Sequence, residues 1–120
     1  MERPKSSGAL RLWRAFFNSW NGFKGAFKAE RAFQQEVALA VILIPLGVHL
    51  GKTNIERALL VASVLLLLLV ELLNTAIETV VDRIGLERHE LSGLAKDVGS
   101  GAVLLSFIVL CVVWGFILFG

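Results

Sequence analysis

The chain has one cysteine, two prolines, one methionine and no tyrosine in 120 residues. With Cys111 as the only thiol, an internal disulfide is excluded. Two prolines and no low-complexity segment leave little room for disorder, and no internal repeat is present. Charge is scarce too: 18% of residues are charged against 56% hydrophobic, with a mean hydropathy of +0.72. A soluble domain would hold about 45–50% apolar residues, and here they concentrate in three blocks, so the chain reads as a small integral membrane protein. No charge at all occurs from Val98 to Phe119. The chain contains no G-x-x-x-x-G-K-[ST], no H-R-D and no D-F-G, which excludes the soluble nucleotide-kinase designs. Gly99-Ser-Gly101 is too short and too deep in an apolar block to act as a phosphate loop.

Three apolar blocks are present instead. Val37–Leu50 is fourteen residues long, short of the ~20 needed for a crossing. It becomes adequate if its helix starts near Ala29 and carries Glu30, Gln34, Gln35 and Glu36 at one end, with Pro45 bending it and His49 and Gly51 ending it. Thr53-Asn-Ile-Glu56 has the form of a capping box, and Arg83 followed by Gly85 forms a stop signal. The third block follows a polar connection, Leu86–Lys96, and places Gly99, Ala102 and Ser106 at close-packing spacing. Ahead of all three, Leu10, Trp13, Phe16, Phe17, Trp20, Phe23 and Phe27 recur every three or four residues, with Arg11, Arg14, Lys24 and Lys28 mostly off that line. That is the pattern of an amphipathic helix lying in a membrane interface; Gly22 and Gly25 weaken it and mark a possible bend. The lead is too long and too patterned for a cleavable signal peptide.

The expected architecture is all-α and a single membrane domain over 1–120: a frayed polar end over 1–8, a surface helix over 9–28, crossings over 29–50, 54–83 and 97–119, and a cytoplasmic loop over 84–96. Seven of the twelve Lys/Arg lie in residues 1–31, three follow the second block and none follows the third. The positive-inside rule then puts the N-terminus and the 84–96 loop on the cytoplasmic side and the C-terminus on the periplasmic side. Three crossings make a thin bundle, so self-association is expected.

The second block is interrupted by Glu71, Asn74 and Glu78, with Asp82 following. Ionisable groups at membrane depth cost roughly 2.5–3.5 kcal/mol each on insertion scales. The spacings of 3, 4 and 4 put all four within an arc of roughly 80° on one helix face. Glu78 lies about 6 Å and Glu71 about 16 Å along the helix from Asp82. Glu30 and Glu36 reach the same level from the first crossing, and Lys96 and Asp97 from the third. Shallow carboxylates suit Mg²⁺ held together with phosphate oxygens, and a carboxylate in a low-dielectric site suits general-base work. Lys96 would neutralise phosphate charge. Together these parts fit phosphoryl transfer to a lipid hydroxyl. Taken singly, Asn74 is helix–helix glue, His89 a loop side chain, and Lys96 with Asp97 a solvated helix start; a proton or ion relay through Glu71 and Glu78 is the alternative of another class.

Glu71-Leu-Leu-Asn-Thr-Ala-Ile-Glu-Thr-Val-Val-Asp-Arg-Ile-Gly85, then His89-Glu-Leu-Ser-Gly93 and Ala95-Lys-Asp97, resembles the signature of the prokaryotic integral-membrane diacylglycerol kinases, as does Ala29-Glu-Arg-Ala-Phe-Gln-Gln-Glu36. The resemblance covers essentially the whole chain. It implies a homotrimer with sites at subunit interfaces, where ATP and Mg²⁺ convert diacylglycerol to phosphatidic acid at the inner membrane. By resemblance, Glu71 is the base and Asn74 its support. Glu30 and Glu78 hold the metal. Arg11, Asn18, Glu87, Arg88, His89, Lys96 and Asp97 approach ATP. Arg11, Ser19, Gln35, Arg57, Glu71, Ser100 and Trp114 match lipid-binding positions. Position 88 is Arg where the family commonly has Tyr, and position 94 is Leu where close relatives often have Arg. The related undecaprenol kinases share the acidic motif; His89-Glu-Leu-Ser-Gly93 is nearer the diacylglycerol branch.

Overall fold

The computed structural model describes residues 7–120. It consists of four helices: α1 (Gly8–Ala29), α2 (Arg31–Leu50), α3 (Asn54–Ile84) and α4 (Glu90–Phe119). Residues 1–6 of the expected polar end lie outside the described residues. The rest of that end is ordered into the helix, because the Ser7 hydroxyl caps α1 by accepting from the Leu10 N–H at 3.2 Å. α1 continues through Gly22 and Gly25 without interruption. Three helices, α2, α3 and α4, are long and apolar enough to cross a membrane.

α3 is the centre of the bundle, packed against α4 and α2, while α1 touches α2 and α3 lightly. The buried positions of α3 are Leu60, Val64, Leu67, Glu71, Asn74 and Val81, with Ser63 alongside. Their spacing alternates four and three and then doubles to seven, the repeat that keeps one seam of a helix facing its neighbours. Glu71 and Asn74 therefore occupy core positions of the same seam as Leu60, Val64 and Leu67. On α2 the buried residues Phe33, Glu36, Ala40 and Gly47 follow the same repeat.

The apolar end of the seam is locked by Trp114. Its indole N–H faces the Leu60 carbonyl at 3.3 Å and the Ser63 hydroxyl at 3.0 Å, and its ring packs beside Gly47, where an added Cβ would stand 3.1 Å from Leu60 Cβ. The α2–α3 turn is equally tight. A Cβ on Gly51 would sit 2.6 Å from Arg57 Cγ and 2.8 Å from the Arg57 backbone nitrogen, so only glycine fits there. Thr53 caps α3 by accepting from the Glu56 N–H at 3.1 Å. Glu56 reaches back one residue further than a simple capping box, to the Lys52 N–H at 3.1 Å.

α4 starts at Glu90, so residues 90–96 are helical and extend the third crossing by two polar turns into the expected 84–96 connection. His89 makes this early start possible: its Nδ1 accepts from the Leu91 N–H at 3.0 Å, closing the helix end as an Asn or Asp would.

The bundle measures 53 × 44 × 20 Å, and most large apolar side chains of α2, α3 and α4 face outward from it. Water would not tolerate a surface of that kind; lipid or a second copy would. Because the buried Trp114 N–H is the polar tie between α4 and α3, Trp114→Phe is expected to lower stability by about 1 kcal/mol, the net worth of one hydrogen bond. Unfolding in detergent micelles measures that loss, and an unchanged midpoint would contradict the role given to the N–H.

Candidate carboxylate site at one end of the bundle

At the end of the bundle away from Trp114, the seam turns polar. Glu71 is 4% exposed and Glu36 is 6% exposed. They come from neighbouring helices, and their carboxyls lie within hydrogen-bonding reach of one another. Asn74, also buried, donates to Glu78 Oε1 at 3.4 Å. Two atoms in this layer have no partner, Glu36 Oε2 and Asn74 Oδ1. α4 closes over Asn74 at Gly99, where a Cβ would run into Asn74 Oδ1. Gly99 is the residue that lets the two helices meet here.

Glu30 stands at the elbow between α1 and α2. Its extended backbone (φ −121°, ψ 117°) ends one helix and opens the next. Its N–H bonds the Ala26 carbonyl at 2.9 Å, and Gln34 Nε2 ties the elbow to the Phe27 carbonyl at 2.7 Å. The Glu30 carboxylate itself makes no capping bond, so it is free to act elsewhere. It lies outside the apolar span, and burial together with the neighbouring Glu78 and Asp82 carboxylates pushes it above the usual carboxylate range. Among the described residues no group of three or more His, Cys, Asp or Glu side chains is gathered as a metal cage. Two neighbouring carboxylates are nonetheless the donor set that a hydrated Mg²⁺ completes with waters and phosphate oxygens, so Glu30 and Glu78 fit that ion.

Next to them, Lys96 pairs with Asp82 at 2.8 Å, both side chains about half exposed. Beyond this pair lies a cavity of about 230 Å³, lined by Asp82, Glu87, Arg88, His89 and Lys96 among others. A larger, mostly apolar cleft of about 440 Å³ separates α1 from α3. Ser19, Gly22, Phe23 and Ala26 form one wall and Leu72, Thr75, Ala76 and Thr79 the other. The Ser19, Thr75 and Thr79 hydroxyls are bonded to carbonyls one turn earlier on their own helices.

The sequence-derived residues thus separate into groups. Glu30, Glu71, Asn74 and Glu78 converge, with Lys96 beside them. Glu87, Arg88 and His89 line the small cavity, and Ser19 lines the cleft. Arg11 and Asn18 on α1, Gln35 on α2, and Asp97 and Ser100 on α4 are all exposed. Two residues stand apart. Arg57 donates to the Val48 carbonyl at 3.1 Å and to Asn54 Oδ1 at 3.0 Å, capping the end of α2. Trp114 is in the core against Leu60, about 16 Å along α3 from Glu71. Glu36 was legible only as a shallow acid at a helix end; the signal for its burial was its place between Phe33 and Ala40 in a seven-residue repeat.

Because the folded chain binds a proton on Glu30 more tightly than the unfolded chain does, ionising Glu30 destabilises the fold. That penalty is absent below the unfolded value, about 4.3, and is fully present once pH passes the folded value. In metal-free buffer at neutral pH, Glu30→Gln is therefore expected to unfold at a higher temperature than wild type. The gap should close toward pH 4, and added Mg²⁺ should stabilise the wild type more than the variant. Calorimetry at several pH values measures this; a variant less stable than wild type in chelator would contradict it.

Comparison with known proteins gives the family. The family profile described as prokaryotic diacylglycerol kinase matches residues 17–118. The chain is 54% identical over 115 residues to a diacylglycerol kinase of Haemophilus influenzae, covering 96% of this chain and 98% of that one. It is 49% identical over 114 residues to that of Pseudomonas aeruginosa, with 95% and 93% covered. Against the diacylglycerol kinase of Escherichia coli K12 it is 46% identical over 109 residues, with 91% and 89% covered. A helical chain with three membrane-length helices, an acidic layer inside one end and matches of this breadth belongs to the prokaryotic diacylglycerol kinase family.

Proposed function

We propose that this protein is an ATP-dependent lipid kinase that phosphorylates the free hydroxyl of diacylglycerol, giving phosphatidic acid at the cytoplasmic face of a bacterial inner membrane. The observation that carries this reading is the burial of Glu71 beside a shallower carboxylate pair, Glu30 and Glu78, at one end of a bundle of membrane-length helices.

The chemistry follows from depth. The lipid hydroxyl approaches from the apolar side, and Glu71 takes its proton as the oxygen attacks the γ-phosphorus of ATP. The new bond runs from the lipid oxygen to phosphorus, and the bond that breaks joins that phosphorus to the bridging oxygen of departing ADP. Phosphoryl transfer of this kind is governed by positioning and charge stabilisation. Asn74 fixes Glu78 and, one turn from Glu71, keeps the seam polar. Glu30 and Glu78 would hold Mg²⁺, which supplies charge neutralisation on the phosphates. Lys96, now paired with Asp82, turns to phosphate when nucleotide arrives. Glu87, Arg88 and His89 border the cavity next to it and supply the nucleotide contacts, with Asp97, Arg11 and Asn18 around them. His89 uses Nδ1 for its helix cap, so Nε2 is the nitrogen left for nucleotide.

The apolar cleft between α1 and α3, lined by Leu72 and Thr75 one residue and one turn after Glu71, is the proposed path of the lipid chains, with Ser19 on its wall. Gln35, Ser100, Arg57 and Trp114 are assigned to the lipid by the family resemblance; none of them lines this cleft. α1 presents Trp13, Phe16, Phe17, Trp20 and Phe23 exposed, which suits a helix lying in the headgroup layer. The outward apolar faces of α2 and α4 suit assembly into a homotrimer with the sites between subunits.

Purified protein with ATP and Mg²⁺ is expected to phosphorylate diacylglycerol in preference to undecaprenol. Preferential phosphorylation of the polyprenol would overturn the substrate assignment. Glu78→Gln is expected to raise the Mg²⁺ concentration for half-maximal rate by roughly 10- to 100-fold, as loss of a positioning ligand does elsewhere; an unchanged Mg²⁺ dependence would remove Glu78 from the metal site.

A further inference from the structure

Glu36 is a buried acid in this layer to which the reaction described above gives no task. It projects from α2 between Phe33 and Ala40, 6% exposed, and its carboxyl meets that of Glu71 from α3. Two ionised carboxylates offer only acceptors and cannot hydrogen-bond each other. Two carboxyls enclosed together within hydrogen-bonding reach are best accommodated with a proton between them, as in like-charge dyads generally.

The orphaned atom says which of the two holds it. Glu36 Oε2 is enclosed and has no donor. On an ionised Glu36 that oxygen would be half of an unsolvated charge. On a protonated Glu36 it is a neutral carbonyl-type oxygen, and leaving it unpaired costs far less. A proton on Glu36 removes that charge and can be shared with the carboxyl of Glu71.

We propose that Glu36 is a positioning residue: it stays protonated, donates to one oxygen of Glu71, and leaves the second, ionised oxygen of Glu71 to receive the proton of the lipid hydroxyl. The inference rests on Glu71 being the base. It explains how a carboxylate enclosed at membrane depth stays ionised enough to act as one, since a hydrogen bond to a carboxylate favours its charged form. The groups facing the pair are consistent with a one-proton state. Glu30 from the α1–α2 elbow and Glu78 from α3 act on Glu71 through space. From α4, Gly99 brings no side chain, and Lys96 is held by Asp82 at the surface.

The test is the pH dependence of kcat in the full-length protein in lipid micelles with saturating ATP and Mg²⁺, for wild type, Glu36→Gln, Glu36→Ala and Glu71→Gln. Wild type should be bell-shaped, with an alkaline limb that reports loss of the shared proton. Glu36→Ala should lower kcat by about 10- to 100-fold, the scale of a misplaced reacting group. Glu36→Gln should recover most of that loss, because its amide still donates, and should lack the alkaline limb, because an amide does not ionise. A Glu36→Gln profile that overlays wild type, or a Glu36→Gln loss equal to that of Glu36→Ala, would overturn the proposal. If Glu71→Gln keeps its turnover, the base assignment fails first, and the infrared spectrum then judges the proton alone. Wild type at neutral pH should show a carboxylic-acid carbonyl band that Glu36→Gln removes. Should Glu36→Gln not fold, Glu71→Gln should shift that band, and a band indifferent to both substitutions contradicts the shared proton.

Discussion

An acidic side chain at membrane depth has to be enclosed by protein, and the whole bundle is arranged around that constraint. Glu71 and Asn74 sit at core positions of the same seam that packs Leu60, Val64 and Leu67. The packing that makes α3 the central helix therefore also excludes lipid and water from its polar stretch. Gly99 on α4 and the seven-residue repeat on α2 are the matching halves of that enclosure. With a side chain at position 99, Asn74 would be displaced.

The second consequence is a gradient of polarity along one helix. From Trp114 and Leu60 the seam runs apolar to Leu67 and then through Glu71, Asn74 and Glu78 to the Asp82–Lys96 pair at the surface. A substrate with a hydroxyl at the junction of apolar chains and a polar head matches such a gradient, and so does a phosphate donor arriving from water. On the proposed reading the deep acid would meet the hydroxyl, and the shallow acids and the lysine would meet the phosphates. One helix face would then sort two chemically unlike substrates by depth, without a loop-built phosphate cradle.

Much of this was legible in the sequence because membrane helices leave few choices. The 3-4-4 spacing of Glu71, Asn74, Glu78 and Asp82 fixed their common face, and charge-free residues 98–119 announced α4. Local chemistry was less legible. His89 looked like a loop side chain because a histidine N-cap has no strong sequence pattern; in the structure it starts α4 at Glu90. Glu36 borders an apolar block that begins at Val37, so its sequence position pointed to the surface, whereas the seam of Phe33, Ala40 and Gly47 carries it inside. Trp114 and Arg57 match lipid-binding positions; the Trp114 partners, Leu60 and Ser63, lie more than fifty residues away and could not be paired without the fold, and Arg57 closes the turn back onto Val48.

The central claim is that the enclosed carboxylate of Glu71 is there for chemistry and not for the fold. Glu71→Gln, assayed for phosphatidate formation and for thermal unfolding on the same preparation, tests it most directly. The account predicts turnover lowered by about 10²- to 10⁴-fold, the range of a lost general base, with an unfolding temperature no lower than wild type, since a buried charge has been replaced by a neutral isostere. Turnover within tenfold of wild type, or activity lost only together with the fold, would contradict it.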